Sequence, residues 1–411
     1  MPRSETMSKY PYFILLLLLI MPEPAAAAFI RYQEPELLTY QELQTLSQNP
    51  SPGGALQKKM ERLWVTPMIS HEAHYRGVKP AKHHDARLGS FLRVASWNIE
   101  KSMAIDDTIR LFTDSSDNFD QMLDPKEAPL GSEIHLKILN QRERLLETDI
   151  LILQEMEIGI KRSHYKNAAK ELAEALNMNF AFGAQYLEVD PVTLGIEELV
   201  FEEDDPTEIR ADIRDYYAVD ASRYRGVFGS AVLSKYPIKY VELKPLESKP
   251  YDWYWEELKK TGVTEKLRRT GAKVLFKNAI QRELKVGNRH FFRVDLEVPE
   301  LPNKTLTVVN VHLEIKCQPV GRERQMREIL SYIRDIENPV VLMGDFNMSA
   351  TDISPTTASR VLRRTAKNPT TWLSLGVNVV SPHAFVLNTS RAVSNVTKNF
   401  NDPTAKHVPV V

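Results

Sequence analysis

Four short apolar segments that each end in a polar side chain constrain the fold of this chain most strongly. The clearest is residues 339–347, PVVLMGDFN, where an apolar run stops at Asp345 and Asn347. A short Val-rich run between Pro and Gly predicts a strand buried on both faces. Because side chains two apart on a strand project from one face, Asp345 and Asn347 are predicted to reach one site. A strand that simply ends in a turn, favoured by Gly344 and Ser349, is the alternative.

Three other apolar segments end in the same way. The run RVASW precedes Asn98, ILILQ precedes Glu155, and LTVVNV precedes His312. Since open α/β sheets bind ligands beyond the carboxyl ends of their strands, the sequence predicts that these side chains meet Asp345 in one site. The alternatives are that the Asn and Asp residues cap following helices and that His312 packs in the core.

The residue types at these strand ends suit the hydrolysis of phosphate esters. At neutral pH that reaction needs a metal ion to neutralise phosphate charge, a base to align water, and donors for the transition-state oxygens. Oxygen ligands such as Glu155 and Asn98 suit a hard cation like Mg²⁺, which takes few protein ligands. The net charge of −1 argues against an extended nucleic-acid footprint, and a local basic cleft is the alternative.

The remaining pattern predicts a layered α/β fold with mixed sheets. Helical spacing of leucines and alanines predicts two helices, the second capped by Ser163. The stretch 106–124, rich in Asp and Ser, is predicted to be a loop. Several strands follow one another without helices between them, which argues against a purely doubly wound sheet. The predicted strands are 91–97, 150–153, 180–182, 231–233 and 291–298, and the predicted helices are 136–146 and 163–177.

The N-terminus has the features of a secretory signal peptide over residues 1–28. Arg3 and Lys9 precede an apolar segment at 12–21, and a small-residue run follows at 25–28. The segment is too short to span a bilayer and ends in an Ala-x-Ala-like site. This predicts a secreted or periplasmic protein, with an uncleaved anchor as the alternative.

Residues 29–89 are predicted to form an irregular arm around a main domain at 90–411. Five prolines interrupt any long helix in this arm. Its histidines lack a Cys or carboxylate at zinc-site spacing and are predicted to be solvated. The single cysteine, Cys317, cannot form an intramolecular disulfide, so an exported domain would depend on its core. The four histidines of the arm are His71, His74, His83 and His84.

Two insertions interrupt the main domain. Residues 196–215 contain an acidic run, which is typical of a solvated loop. Residues 253–273 combine aromatic residues with Lys and Arg. We interpret the second insertion as an exposed helix with mixed charges, and contact with phosphates or lipid head groups as the alternative.

Five sequence motifs of this chain resemble those of the endonuclease/exonuclease/phosphatase superfamily, also described as deoxyribonuclease-like. They occur in the same order as in that superfamily. That superfamily includes nucleases, neutral sphingomyelinases and inositol-polyphosphate phosphatases. The resemblance covers roughly residues 90–350. It implies a four-layer α/β sandwich, with two packed mixed β-sheets flanked by helices, and a hydrolase that uses Mg²⁺, with Mn²⁺ as the alternative. The motifs are SWNIE (96–100), ILILQEME (150–157), FGSAVLSKYPI (228–238), VNVHLE (309–314) and GDFN (344–347).

Carried over by position, the resemblance implies a role for each strand-end residue. Glu155 would bind Mg²⁺ with support from Asn98, and Asp345 would orient or deprotonate the attacking water. Asn347 would hold that water or a phosphate oxygen, and His312 would stabilise the phosphoryl group. The implied partner is a phosphate-ester substrate, either nucleic acid or a phospholipid head group. No stable protein partner is indicated, and we expect a monomer.

Two positions depart from the pattern of the superfamily. Ser230 follows Gly229 where the superfamily usually carries Asn, so Ser230 is the candidate substrate-binding residue there. Lys406 precedes His407 where the last strand usually carries an Asp-His pair, and a neighbouring Lys lowers the pKa of a histidine. Either His407 is catalytic alone, or the site is impaired, or the chain stops before the last strands, which we favour. A binding module without catalysis is the rival function.

Overall fold

Strands in three sheets and short helices make up the part of the chain that the structure describes. This computed structural model describes residues 29–87, 89–126, 128–198, 214–215, 217–259 and 283–347. In these ranges the strands are β1 (Tyr32–Gln33), β2 (Met68–Ser70), β3 (His83–Asp85), β4 (Gly89–Phe91), β5 (Val94–Asn98), β6 (Ile150–Ile158), β7 (Asn179–Glu188), β8 (Val227–Ser234), β9 (Ile238–Pro245), β10 (Lys285–Gly287), β11 (His290–Glu297), β12 (Thr305–His312) and β13 (Val340–Asp345). The helices are α1 (Tyr40–Gln48), α2 (Gly54–Val65), α3 (Glu72–Tyr75), α4 (Ile105–Thr113), α5 (Ser116–Asp120), α6 (Glu133–Leu146), α7 (Ala168–Ala175), α8 (Trp255–Leu258) and α9 (Pro319–Ile333).

Two mixed sheets form the centre of the fold. The first has the order β1-β2-β7-β8-β6-β5, with β10 also paired to β7, and the second has the order β13-β12-β11-β9. In the first sheet β5 and β6 are parallel, and in the second β12 and β13 are parallel, whereas the other pairs are antiparallel. The predicted mixed sheets are therefore confirmed. A separate hairpin joins β3 to β4.

Alternation along β6 divides its apolar side chains between two cores. Ile150 and Ile152 belong to the core shared with the second sheet, whereas Leu151 and Leu153 belong to the core under the helices. Successive side chains of a strand point to opposite faces, so a strand covered on both sides is apolar at every position. Each such side chain contributes about 1.5–3 kcal/mol when it is fully buried.

Helices cover the outer faces of both sheets. Helices α1, α4 and α7 contribute Leu43, Ile105 and Leu172 to the core outside the first sheet. On the other side, α9 packs Ile329 against Val309 of the second sheet. The predicted order of helix, sheet, sheet and helix is thus present in the described residues. His407 lies outside them.

The prediction of an irregular arm at 29–89 is wrong in its secondary structure. Helices α1 and α2 lie in this segment, and β2 pairs with β7 in the first sheet. A capping box between Thr39 and Glu42 begins α1. The prolines lie between the elements, for example Pro50 and Pro52 in the connection from α1 to α2, so they delimit the helices and do not prevent them.

The predicted loop at 106–124 is also wrong, because α4 and α5 occupy most of it. Ile105, Ile109 and Phe112 have helical spacing, although acidic residues between them make the segment polar overall. All three pack in the core under the helices. The predicted cap at Ser163 is displaced as well. The N-cap of α7 is Asn167, whose side chain accepts a hydrogen bond from Lys170 N–H.

His71 is buried, which contradicts the prediction that the arm histidines are solvated. It is 1% exposed. Its Nδ1 lies 2.5 Å from the carbonyl oxygen of Ile30, and its Nε2 accepts a hydrogen bond from Ile238 N–H at 2.9 Å. The ring therefore joins the segment before β1 to strand β9 of the second sheet.

Both predicted insertions lie mainly outside the described residues. None of the helices in the described ranges has the length and apolar character needed to cross a membrane.

Candidate active site

Four polar side chains from four strands converge at one edge of the paired sheets. Asn98 ends β5, His312 ends β12, and Asp345 ends β13, while Glu155 lies in the second half of β6. The Asn98 Nδ2 atom is 3.2 Å from Glu155 Oε1 and 2.9 Å from Asp345 Oδ2. The His312 Nε2 atom lies 3.9 Å from each of the same two oxygens. The structure therefore brings these four residues together, and their chemical roles stay predictions.

A β-bulge in β6 turns Glu155 toward this edge. Gln154 pairs with Ser230 of β8 and Met156 pairs with Gly229, so Glu155 is the extra residue between them. Its φ angle is 60°. In a regular strand the alternation would direct Glu155 into the apolar core under the helices. Because of the bulge, Met156 takes that position, and Glu155 is free to face Asn98.

A turn with left-handed backbone follows β5 and binds Glu155. The φ angles of Glu100, Lys101 and Ser102 are 50°, 56° and 52°. The Lys101 N–H donates to Glu155 Oε2 at 3.0 Å, and the Ser102 hydroxyl donates to Glu155 O at 3.1 Å. The Glu100 N–H donates to Asn98 Oδ1 at 3.0 Å, so the NH₂ group of Asn98 faces the two carboxylates. The turn thus fixes both the carboxylate and the amide.

Strand β13 ends at Asp345, and Asn347 lies in the turn that follows with a φ of 47°, so the prediction that both side chains project from one strand is wrong. The Asn347 N–H donates to Asp345 Oδ1 at 2.8 Å, and Asn347 Nδ2 donates to Leu313 O at 2.9 Å. The preceding Gly344 has a φ of 145°, and a Cβ atom there would lie 1.9 Å from Val311 O. Only glycine allows β13 to approach β12 this closely before the turn.

Burial keeps the imidazole of His312 neutral. This residue is 3% exposed. Burial lowers the pKa of His312 well below its usual value, and the nearby positive charge of Arg289 lowers it further. A neutral ring has one N–H donor and one acceptor, and it suits hydrogen bonding to an oxyanion without carrying a charge of its own.

Ser230 lies beside the bulge, where it is less directly connected to the site than the four residues above. Ser230 pairs with Gln154 next to the bulge, and it is 1% exposed. Its hydroxyl oxygen has no hydrogen-bond partner within the described ranges. Its role in substrate binding stays a prediction, and His407 lies outside the described residues.

The donor atoms at the site fit a hard divalent cation. Glu155 supplies a carboxylate and the carboxylate of Asp345 lies nearby, and Mg²⁺ commonly takes one or two carboxylates from a protein while it keeps its waters. Asn98 Oδ1 is bound to Glu100 N–H, so in this geometry Asn98 orients the carboxylates. Across the described ranges, no group of three or more His, Cys, Asp or Glu residues is arranged to hold a metal ion. Of the two predicted Mg²⁺ ligands, Glu155 offers a carboxylate, whereas the side-chain oxygen of Asn98 already accepts a hydrogen bond.

The sequence interpretation missed three residues near this site. Lys101 and Ser102 bind Glu155 through a left-handed turn, for which a run without Gly or Asn gives no signal. Arg289 follows the turn-forming pair Gly287 and Asn288, which marks only the start of a strand. Burial of its guanidinium near the carboxylates follows from the tertiary fold.

The fold and the site define a layered α/β protein with a centre of carboxylates, a carboxamide and a neutral imidazole at its strand ends. The model of the Endonuclease/Exonuclease/phosphatase family matches residues 95–374, and the chain belongs to that family. Members of this family are hydrolases that act on phosphoester bonds.

Several solved structures resemble this chain at low identity. An endonuclease/exonuclease/phosphatase from Beutenbergia cavernae DSM 12333 is 17% identical, with a TM-score of 0.31, over 67% of this chain and 52% of that one. ANGEL2, a 2′,3′-cyclic phosphatase, is 15% identical, with a TM-score of 0.28, over 62% and 52% of the two chains. Sphingomyelinase C from Streptomyces griseocarneus is 16% identical, with a TM-score of 0.27, over 63% and 65%. The chain thus spans about half the length of the first two. No curated protein matches it.

Proposed function

We propose that this protein is an exported, Mg²⁺-dependent phosphoesterase that hydrolyses phosphodiesters by attack of water. One observation carries the proposal: the amide of Asn98 bridges the carboxylates of Glu155 and Asp345, and the imidazole of His312 lies 3.9 Å from both. The two carboxylates can hold a metal ion and orient water, and the imidazole can donate to a phosphoryl oxygen, which are functions that this reaction needs.

Each residue has one part in this mechanism. Glu155 would hold Mg²⁺, which would supply neutralisation of the phosphate charge. Asp345 orients the attacking water and accepts its proton. The neutral His312 donates a hydrogen bond to a phosphoryl oxygen, where negative charge increases in the transition state. Asn98 orients the two carboxylates by donating hydrogen bonds to both from its NH₂ group. Asn347 and Ser230 contact the substrate.

The leader-like pattern of residues 1–28 supports a secreted or periplasmic protein, which we expect to be a monomer. Detection of the mature protein outside the cytoplasm, with an N-terminus near Phe29, tests this. Retention of residues 1–28 in the cytoplasm would contradict it.

Hydrolysis of bis(p-nitrophenyl) phosphate tests the reaction and its metal dependence. We expect turnover with Mg²⁺, loss of turnover in EDTA, and recovery when Mg²⁺ is added back. Glu155→Gln should lower kcat/KM on the order of 10²- to 10³-fold, because a charged ligand of the cation is lost. Glu323→Gln, on the exposed face of α9 where Glu323 pairs with Arg327, is the matched control and should stay near wild type. Activity that persists in EDTA or in Glu155→Gln would contradict the metal mechanism. Phosphate binding without turnover would instead favour the rival function, a binding module without catalysis.

A phosphodiesterase for lipid head groups is the second candidate. Trp255, Leu258 and Ile315 are 50%, 40% and 57% exposed, and an ion pair between Lys316 and Glu257 joins the segments that carry them. Apolar side chains beside a cation are typical of a surface that meets a membrane interface. Turnover of phosphatidylcholine or sphingomyelin vesicles but not of DNA would favour this candidate, and the reverse would favour a nuclease.

A further inference from the structure

A network of six ionisable side chains lies beside the candidate active site. Three basic side chains alternate with three acidic ones along it. The network begins in the turn after β5 and ends in β6, so both of its ends lie close to Glu155. We refer to these residues as the ion-pair network, and its members in order are Lys101, Glu283, Lys285, Glu188, Arg162 and Glu157.

The first half of the ion-pair network joins the turn after β5 to β10. The Lys101 ammonium forms an ion pair with one oxygen of Glu283, and Lys285 Nζ lies 2.8 Å from the other oxygen. Burial alone would raise the pKa of Glu283, but Lys285 and Lys101 hold that pKa well below its ordinary value. Glu283 is therefore a carboxylate that two ammonium groups share.

The second half of the network returns from β10 to β6. Lys285 is paired with Glu188 across β10 and β7, and its Nζ atom lies 3.9 Å from Glu188 Oε1. Arg162 bridges two carboxylates, since its Nη1 atom is 3.1 Å from Glu188 Oε2 and its Nε atom is 2.9 Å from Glu157 Oε1. The planar guanidinium thus fixes the end of β7 relative to β6.

Ser102 connects the end of the network in β6 back to the turn. The Glu157 N–H donates to the Ser102 hydroxyl oxygen at 3.2 Å, and this hydroxyl donates to Glu155 O at 3.1 Å. One residue earlier, the Lys101 N–H donates to Glu155 Oε2 at 3.0 Å. A closed loop of contacts therefore runs from the Glu155 carboxylate through the network to the Glu155 backbone.

Stability alone is a weak explanation for these charges. The side chains of Glu157 and Lys285 are 0% and 4% exposed, so their ionised forms lose most of their hydration. Replacement of a buried ion pair by apolar side chains is often neutral or stabilising. The network instead fixes distances and directions, which the turn needs because three successive non-glycine residues in it have a positive φ.

We propose that Lys101 is a positioning residue of the candidate active site, whose ammonium is anchored by Glu283 so that its backbone N–H stays on the carboxylate of Glu155. The proposal rests on the proposed function, because that carboxylate would hold Mg²⁺. Lys101 acts through Glu155, and its ammonium has no contact with substrate in this role. A group that orients a metal ligand in this way contributes to metal affinity without binding the metal.

The affinity for Mg²⁺ alone, measured by isothermal titration calorimetry without substrate, tests the proposal. Lys101→Met should weaken Mg²⁺ binding by about 10- to 100-fold, because the carboxylate of Glu155 loses its fixed orientation. Lys101→Arg keeps the charge and should bind Mg²⁺ more tightly than Lys101→Met. The matched control is Lys166→Met, which should bind Mg²⁺ like wild type. Lys166 also pairs with two carboxylates, those of Asp106 and Glu171, and its side chain is 26% exposed, against 25% for Lys101.

A purely electrostatic role for Lys101 predicts a change of the opposite sign. Removal of a positive charge near the site would strengthen the binding of a cation. Tighter Mg²⁺ binding by Lys101→Met would therefore overturn the proposal. In the assay with bis(p-nitrophenyl) phosphate, positioning predicts that Lys101→Met needs more Mg²⁺ for half-maximal turnover, whereas kcat at saturating Mg²⁺ stays within about 3-fold of wild type.

Glu283→Gln removes the anchor and leaves Lys101 in place, so it also covers the case in which Lys101→Met fails to fold. The two single variants and the double variant should weaken Mg²⁺ binding to a similar extent, because all three break the same ion pair. Independent, additive losses would overturn the proposal.

Urea unfolding without metal separates this proposal from the proposed function. Lys101→Met and Glu155→Ala should have less than additive effects on the free energy of unfolding, because both weaken the same contact. If wild type neither binds Mg²⁺ nor turns over, the proposed function fails, and this result still supports the proposal, whereas additive effects overturn it. Wild-type Mg²⁺ binding and turnover in folded Lys101→Met overturn the proposal while the proposed function stands.

Discussion

At the scale of single residues, the backbone of Glu155 is as important to the site as its carboxylate. Its φ of 60° places a non-glycine residue in the left-handed region, which costs about 1–2 kcal/mol. Hydrogen bonds from Lys101 N–H and the Ser102 hydroxyl hold it there. Strain of this kind persists where the surrounding structure fixes it, and here it directs the carboxylate toward Asn98 and Asp345.

The left-handed backbone predicts an unusual order of stability for two variants at this position. Both Glu155→Ala and Glu155→Gly remove the carboxylate, but glycine adopts a positive φ without strain. We expect Glu155→Gly to have the larger free energy of unfolding, by about 1 kcal/mol, in urea titrations. At Glu242, a strand glutamate with an ordinary backbone, the order should reverse and alanine should be favoured by about 0.4–1 kcal/mol. An equal or larger value for Glu155→Ala would contradict the bulge.

At the scale of elements, Asn310 of β12 ties the two sheets together beneath the site. It is 1% exposed, and its Nδ2 atom donates to Leu153 O of β6 at 3.0 Å and to Ala231 O of β8 at 2.9 Å. Its Oδ1 atom accepts from Gln154 Nε2 at 2.8 Å. These bonds fix the register between the sheets next to the bulge. The relative position of Glu155 and His312, on different sheets, depends on that register.

Asn310→Ala should therefore lower the free energy of unfolding by more than the same change at an exposed asparagine. The change leaves Gln154 Nε2 with one fewer acceptor in a buried setting, which costs on the order of 1–3 kcal/mol. Urea unfolding of the variant measures the loss. The control is Asn118→Ala on exposed α5, which should change the free energy by no more than about 0.5 kcal/mol. Equal stabilities for the two variants would show that Asn310 does not link the sheets.

The strand ends could be predicted from the sequence, but their exact geometry could not. An apolar run predicts a buried strand, and the polar residue that follows, Asp345 or His312, marks where that strand ends. Both features can be read from the local sequence. The bulge at Glu155 is different, since an extra residue in β6 is defined only by pairing with β8. The left-handed turn at Lys101 likewise has no signature, because the contacts with Glu155 stabilise it. Helix α1 is not predicted because the prolines near its ends give the same signal as prolines that interrupt a helix.

At the scale of the whole molecule, His71 joins the N-terminal segment to the second sheet. Its ring contacts Ile30 before β1 and both backbone groups of Ile238 in the second sheet. The burial of His71 could not be predicted from its local sequence, since Ile238 lies 167 residues away. One buried imidazole thus connects the beginning of the described chain to an edge of each sheet.

This contact predicts a stability that depends on pH. Burial lowers the pKa of His71 below its ordinary value of 6.5, although its backbone contacts act in the opposite direction. As the pH falls below 6.5, the unfolded chain binds a proton before the folded chain does, so the contribution of His71 to stability is present above pH 6.5 and is lost as the pH approaches the folded pKa. We expect the difference in unfolding free energy between wild type and His71→Gln to decrease from pH 7.5 to pH 5. The difference is the proper measure because burial also lowers the pKa of His290, to about 3, and that group titrates in both proteins. A difference that stays constant over this range would show that His71 is not held neutral in the folded protein.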